Sequence, residues 1–269
     1  MSVVECKAQF KATFKKVCTI CVVALMVVWT GCGGGYSGGG GGGTTNYAGQ
    51  AQGVYSGTSS NGYSFESIVL PNDKIYGVYG IFSGNVLTLY GMVAGQGTSG
   101  NDTFTASTVT DFLYTGAVNT GSLTATDVPG SSINGTLTES GTTPETFNGT
   151  APPSSSFNYN TPASVSDITG TWTGFLLEGT STTVTINSNG SLSGSDSSGC
   201  SFTGTVTADS SNKNFFDISV TFGASPCGLP NQTATGIGVY SLLPDGVTHE
   251  LLAGVNAGTS YGTVFFAYR

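Results

Sequence analysis

Polar and apolar residues alternate along most of this chain in short runs with a period of two. The run Thr103-Phe104-Thr105-Ala106-Ser107-Thr108-Val109 is representative. A period of two places successive side chains on opposite faces, the signature of a strand with one buried face. Similar runs in the first half occupy 53–57, 65–70, 74–81 and 86–94. In the second half they occupy 170–174, 182–186, 191–195, 201–208, 215–222, 234–243, 250–255 and 262–268, eight strands counted from Trp172. No stretch carries a helical apolar period of useful length. Turn residues separate the runs: Pro71-Asn72-Asp73, Ser83-Gly84-Asn85 and Asn189-Gly190, the last predicting a type I′ hairpin turn. Short strands with regularly spaced turns point to a sandwich or barrel. Open sheets of this length would leave exposed edges, so the all-β class is expected as two small antiparallel β-barrel units of about eight strands each.

Two internal echoes support a duplicated organisation. Gly53-Val54-Tyr55-Ser56-Gly57 matches Gly170-Thr171-Trp172-Thr173-Gly174 in residue type, with glycine first, an aromatic at the third place, then a hydroxyl and a second glycine. Residues 122–138 match 191–207 without gaps. The two offsets differ, which predicts extra strand or loop in the first half. The boundaries that follow are 51–150 for the first barrel-like unit, 151–165 for a linker containing Ala151-Pro152-Pro153, and 166–269 for the second unit.

The N-terminal part breaks the alternation. Lys7, Lys11, Lys15 and Lys16 precede an apolar run at 17–29, too short for a membrane span of ~20 residues and suited to a signal peptide over 1–31. Thr30-Gly31-Cys32 follows, and then a glycine-rich stretch over 33–50. Such a stretch behaves as a flexible coil. A small residue before a cysteine at the end of a secretory signal resembles the lipobox of bacterial lipoproteins, with Trp29 standing where the usual pattern has leucine. The resemblance implies acylation of Cys32, an anchor in the lipid bilayer, and a lipidated tether over 32–50. Gly33 in place of aspartate implies the outer membrane or cell surface. Cys6, Cys18 and Cys21 fall in the removed segment. Gly170-x-Trp172 is similar to the opening strand of lipocalin-like barrels. With the lipobox and tether, the chain resembles the β-barrel lobes of transferrin-binding-protein-B-like surface lipoproteins. That resemblance covers the character of the strands over 53–269 and carries no residue-specific binding motif.

Charge narrows the partners. After residue 31 the cations are Lys74, Lys213 and Arg269 against 14 carboxylates, a net charge of −11. Nucleic acid needs a basic face, so it is excluded. Cys200 and Cys227 are the cysteines of the folded part, and in an exported protein they are expected to form a disulfide. One histidine and two thiols make a poor metal ligand set, so no metal and no cofactor are expected. His249 follows Pro244-Asp245-Gly246 and reads as a solvated turn residue, since its acidic neighbours point to other faces. Gly35-Tyr36-Ser37-Gly38-Gly39 matches Gly-x-Ser-x-Gly but lacks the strand and helix a nucleophile elbow needs. No catalytic residue is assigned.

Aromatics remain. Tyr76, Tyr79, Phe82 and Tyr90 gather in one hairpin pair; Phe215, Phe216, Phe222, Tyr240, Phe265, Phe266 and Tyr268 populate the last unit. Their first expected use is barrel core, their second an exposed tyrosine patch at a barrel rim. The expected function is non-catalytic binding of an envelope or host protein. The alternatives are a lipocalin-like carrier of a small apolar ligand, an envelope structural protein, or a hydrolase inhibitor. An open apolar cavity above ~300 Å³ would favour the carrier, and a contiguous exposed apolar patch a protein partner.

Overall fold

The computed structural model describes residues 49–269, apart from 84, 85 and 244. The expected signal peptide, lipidated Cys32 and the glycine tether up to residue 48 lie outside the described residues; Gly49 and Gln50, the end of the expected tether, are held against the first barrel by Asp73 and Asp102. The fold is all-β and forms two closed antiparallel barrels of eight strands.

The first barrel runs β1 (Gly53–Ser59), β2 (Ser64–Val69), β3 (Lys74–Ser83), β4 (Val86–Gln96), then past the short rung β5 (Thr98–Gly100) to β6 (Thr103–Leu113), β7 (Val118–Val128), β8 (Ser132–Glu139) and β9 (Glu145–Thr150). β4 pairs with β6, and β9 pairs back on β1 with Gly57 opposite Gly149. One helical turn, α1 (Val165–Ile168), leads into the second barrel: β10 (Gly170–Leu176), β11 (Ser181–Ile186), β12 (Ser191–Asp196), β13 (Ser201–Ala208), β14 (Phe216–Phe222), β15 (Thr233–Leu242), β16 (His249–Ala257) and β17 (Tyr261–Tyr268). It closes through β10 and β17, with Phe175 opposite Phe266.

The period-two pattern explains the layers. Inward residues of the first barrel, among them Tyr55, Val69, Ile75, Val93, Phe104, Leu123 and Ile133, form one core. Trp172, Val184, Leu192, Val206, Phe216 and Phe265 belong to the other. Outward threonines meet across strands on the second barrel, Thr171 with Thr185 and Thr221 with Thr233. Such hydroxyl pairs supply polar surface without charge.

The short echo marks equivalent places: β1 and β10 each open a barrel. Gly53 and Gly170 hold φ of 156° and 116°, in a region that disfavours a side chain. Tyr55 Oη then donates to Ala51 O at 2.9 Å, and Trp172 Nε1 to Ile168 O at 2.8 Å. Each aromatic therefore plugs its barrel floor and ties down the chain four residues before it. Arg269 covers the second plug, its guanidinium 4.0 Å from the Trp172 ring centroid.

The longer echo has a different meaning. It joins β7–β8, the sixth and seventh strands of the first barrel, to β12–β13, the third and fourth of the second. The match is therefore between hairpins of one kind, not between equivalent parts of two domains. This accounts for the conflicting offsets, and the first half also carries one extra short strand, β5. The Asn189-Gly190 turn also differs from expectation. Asn187 N donates to Ser191 O and Gly190 N to Asn187 O, while Gly190 alone has φ of 80°. A type I′ turn needs two positive φ values, so this is a three-residue loop with a glycine bulge. The same loop recurs at 59–63, 113–117, 176–180 and 196–200. At 70–74 the left-handed place is taken by Asp73, φ 62°, whose carboxylate accepts from Gly49 N and Ser99 Oγ.

The barrels pack side against side. Val78, Leu89, Met92 and Phe112 from the first meet Leu177 and Val264 from the second, and Ile68 and Leu70 meet Phe215 and Ile237.

Candidate functional site

Strand alternation sends the β1–β2, β3–β4, β6–β7 and β8–β9 turns to one end of the first barrel. The β10–β11, β12–β13, β14–β15 and β16–β17 turns gather at the corresponding end of the second. The two ends differ. In the second barrel the loop at 223–232 folds over the mouth, and Cys227 within it is disulfide-bonded to Cys200 on the β12–β13 turn. Cys227 and Leu229 join the barrel core, and Tyr261 packs edge-on to Phe222 with centroids 5.6 Å apart. What remains inside is a cavity of about 90 Å³ walled almost wholly by apolar side chains. The second barrel is filled.

The first barrel has short turns at this end and opens into a cavity of about 290 Å³. Val93, Leu123 and Ile133 wall its deeper part, and Phe65 and Phe147 lie nearer the mouth, opposite Tyr79 and Ser59. Tyrosines surround the upper part. Tyr63 sits 5.4 Å from Tyr79 and 5.6 Å from Tyr90, centroid to centroid, and Tyr90 meets Tyr114 edge-on at 5.4 Å. Asp111 of β6 reaches into the same space and is 3% exposed. Tyr79 Oη donates to Asp111 Oδ2 at 2.6 Å, and Asn119 Nδ2 donates to Glu139 Oε2 at 3.3 Å. Apart from the hydrogen bond the two carboxyls share, Asp111 Oδ1 and Glu139 Oε1 receive no donor from the described residues.

Burial drives the Asp111 carboxyl up to about 7. Its bond from Tyr79 opposes the rise, while the charge of Glu139, a hydrogen bond with Glu139 and the charge of Glu145 add to it. Burial first, and then the adjacent Asp111 charge, also raises the Tyr79 phenol. Among the described residues lining this cavity there is no Lys, Arg or His. The site is an aromatic-walled cup with an acidic side.

A second crevice of about 250 Å³ lies where the barrels meet, bounded by Glu66, Leu89, Glu250, Phe266 and Tyr268 among others. Glu250 is 8% exposed, and burial raises its carboxyl against hydrogen bonds from Tyr268 and Ser241.

The expected disulfide is present. His249 departs from the expected solvated turn: it begins β16, its ring stacks on Tyr240 at 4.9 Å with 4° between planes, and its backbone pairs with Arg269. The Tyr76–Tyr90 aromatic group divides. Tyr79 and Tyr90 line the cup, Tyr76 packs between the barrels, and Phe82 lies on β3. Nothing in the alternation singles out Tyr63, Asp111 or Glu139. The bulge between Ala106 and Val109 on β6 hides Asp111. Counted from Phe104, the alternation would turn residue 111 outward, and the bulge reverses it.

No protein-family model matches the chain, and neither does any curated protein. Two solved structures show a loose likeness. The crystal structure of isotype 1 transferrin binding protein B from serogroup B Neisseria meningitidis aligns over 77% of this chain and 66% of its own, at 10% identity and a TM-score of 0.23. This chain thus spans just under two thirds of that structure. A DUF3598-family protein of unknown function from Nostoc punctiforme aligns over 83% and 98%, at 14% identity and a TM-score of 0.24. At such scores the likeness carries no argument about this chain's site.

Proposed function

We propose that this chain is a binding protein of the cell envelope, anchored through acylated Cys32, that takes a small, largely apolar ligand into the open cup of its first barrel. The observation that carries this reading is the contrast between the barrels. One mouth is lidded by a disulfide-bonded loop over a filled interior; the other is open over about 290 Å³ walled by aromatic rings. That volume stands at the lower edge of small-molecule sites, roughly 300 Å³. A ligand the size of one or two rings suits it. The role is binding rather than chemistry.

The protein-partner reading has narrower support. Exposed large apolar residues include Ile81, Tyr114 and Val118, all near the open end. They would serve a partner that closes over the rim.

Gly77 supplies the test. It faces the cup, and a Cβ built there would meet nothing closer than Ser67 Cβ at 3.4 Å. Gly77→Leu should therefore fill the cup without moving backbone. The full chain is expected to bind the neutral fluorophore N-phenyl-1-naphthylamine, and Gly77→Leu to lose at least about tenfold in affinity, as a ~1.4 kcal/mol loss of contact implies. Equal binding by both proteins would rule the cup out as the site. Palmitate labelling of the chain and of Cys32→Ala tests the anchor separately.

A further inference from the structure

Resting on the cup as the binding site, we propose that its preferred ligand is an organic cation: an amine or quaternary ammonium head on a small apolar body. Three observations converge. Asp111 is nearly fully buried on the cup wall, with one carboxylate oxygen engaged by Tyr79 and the other meeting only the Glu139 carboxyl. Two adjacent buried carboxyls are costly to ionise together, and a ligand cation with N–H groups would satisfy both. Glu139 stands beside Asp111 and shares a hydrogen bond with it, with Oε2 held by Asn119 and no other donor on Oε1. Around them stand Tyr63, Tyr79 and Tyr90, whose ring faces attract cations. The apolar wall of Phe65, Leu123, Ile133 and Phe147 accepts an apolar body. An anionic ligand would meet three carboxylates, Asp111, Glu139 and Glu145, and no cationic lining residue.

The arrangement also couples binding to protons. The groups facing Asp111 are Tyr79 from β3, Tyr63 and Tyr90 beside it, Asn119 from β7, Glu139 from β8 and Glu145 from β9. Without ligand, the proton on Asp111 is favoured by burial and by its acidic neighbours. A cationic head replaces that proton, so the proton is released on binding. Affinity for the cation should rise as pH climbs through about 7.

The test titrates the full chain calorimetrically with 2-phenylethylammonium, its neutral counterpart 2-phenylethanol, and phenylacetate, at pH 5.5 and 8. The expected order at pH 8 is cation, alcohol, anion, with the cation about tenfold tighter than the alcohol. At pH 5.5 that preference shrinks, whereas alcohol binding does not move. Repeating the pH 5.5 titration in buffers of different ionisation heat should show proton release for the cation alone. Asp111→Asn should abolish the preference for the cation over the alcohol and its pH dependence; Glu139→Gln, a second route if the first variant misfolds, should reduce both. Equal binding of cation and alcohol at pH 8, or a preference untouched by both variants, overturns the cation inference and leaves the cup standing. If none of the three compounds binds and N-phenyl-1-naphthylamine fails as well, the cup reading falls with it.

Discussion

Asp111 carries a cost that depends on pH. Its carboxyl is held up at about 7 in the folded chain against an ordinary value near 3.8. The folded state therefore binds the proton more tightly than the unfolded state, and the resulting stability is complete below about 3.8 and lost as pH rises through about 7. Asp111→Asn keeps an acceptor for Tyr79 and removes the ionisable group. Between pH 4.5 and pH 8.5 the variant should gain about 2 kcal/mol on the native chain, a value discounted for water in the open cup. Melting both proteins across that range checks it; parallel melting curves at all pH values would contradict the assignment. Glu250 also has a raised carboxyl, so only the difference between the two proteins isolates Asp111. Residue by residue, the sequence shows the cup unevenly. Tyr79 and Tyr90 stand out as aromatics in a hairpin pair, but the acid beside them depends on a bulge that alternation does not reveal.

At the scale of elements, strands are the most legible feature, because a half-buried barrel strand writes its two faces directly into alternate letters. The eight strands of the second barrel fall where the pattern puts them. Turns are less legible, since Asn-Gly fits more than one loop and the choice lies in φ at a single residue. The difference between the two barrel mouths is hidden altogether. Cys200 and Cys227 announce a bond, but not that the bond holds a lid in place. Closing a loop of this length adds ~3 kcal/mol on the chain-entropy model. The double variant Cys200→Ala with Cys227→Ala should keep its far-ultraviolet circular dichroism, since the β-ladders do not depend on the lid, and should melt with about 3 kcal/mol less stability. It should also admit N-phenyl-1-naphthylamine to the second barrel. A second binding event appearing in that variant and absent from the native chain would show that the lid, and not the barrel wall, makes the two halves different.

Across the whole molecule, two barrels of the same plan are joined by residues that alternation alone would call surface. Val264-Phe265-Phe266-Ala267 on β17 is apolar on both faces: Phe265 and Ala267 point into the second barrel, Val264 and Phe266 toward the first. A continuous apolar run is how a strand covered on both sides reads. The docking is specific because glycines in the second barrel make room for side chains of the first. A Cβ on Gly262 would stand 2.5 Å from the Phe112 ring, and one on Gly254 would stand 2.8 Å from Met92 Sδ. The Met92 thioether could swing aside, but the Phe112 ring, 2% exposed, has nowhere to turn. Gly262→Leu should therefore separate the barrels without unfolding either one, because the side chain it adds points out of the second barrel. Calorimetry should then show two melting transitions where the native chain shows one, and the added apolar exposure should raise binding of a surface dye. The cup lies within the first barrel, so ligand affinity should change less than threefold, below the ~1.4 kcal/mol of a tenfold effect. Loss of binding in Gly262→Leu would mean that the cup needs the second barrel as a buttress behind Phe112 and Asp111, two neighbours on β6 that face opposite sides of the same wall.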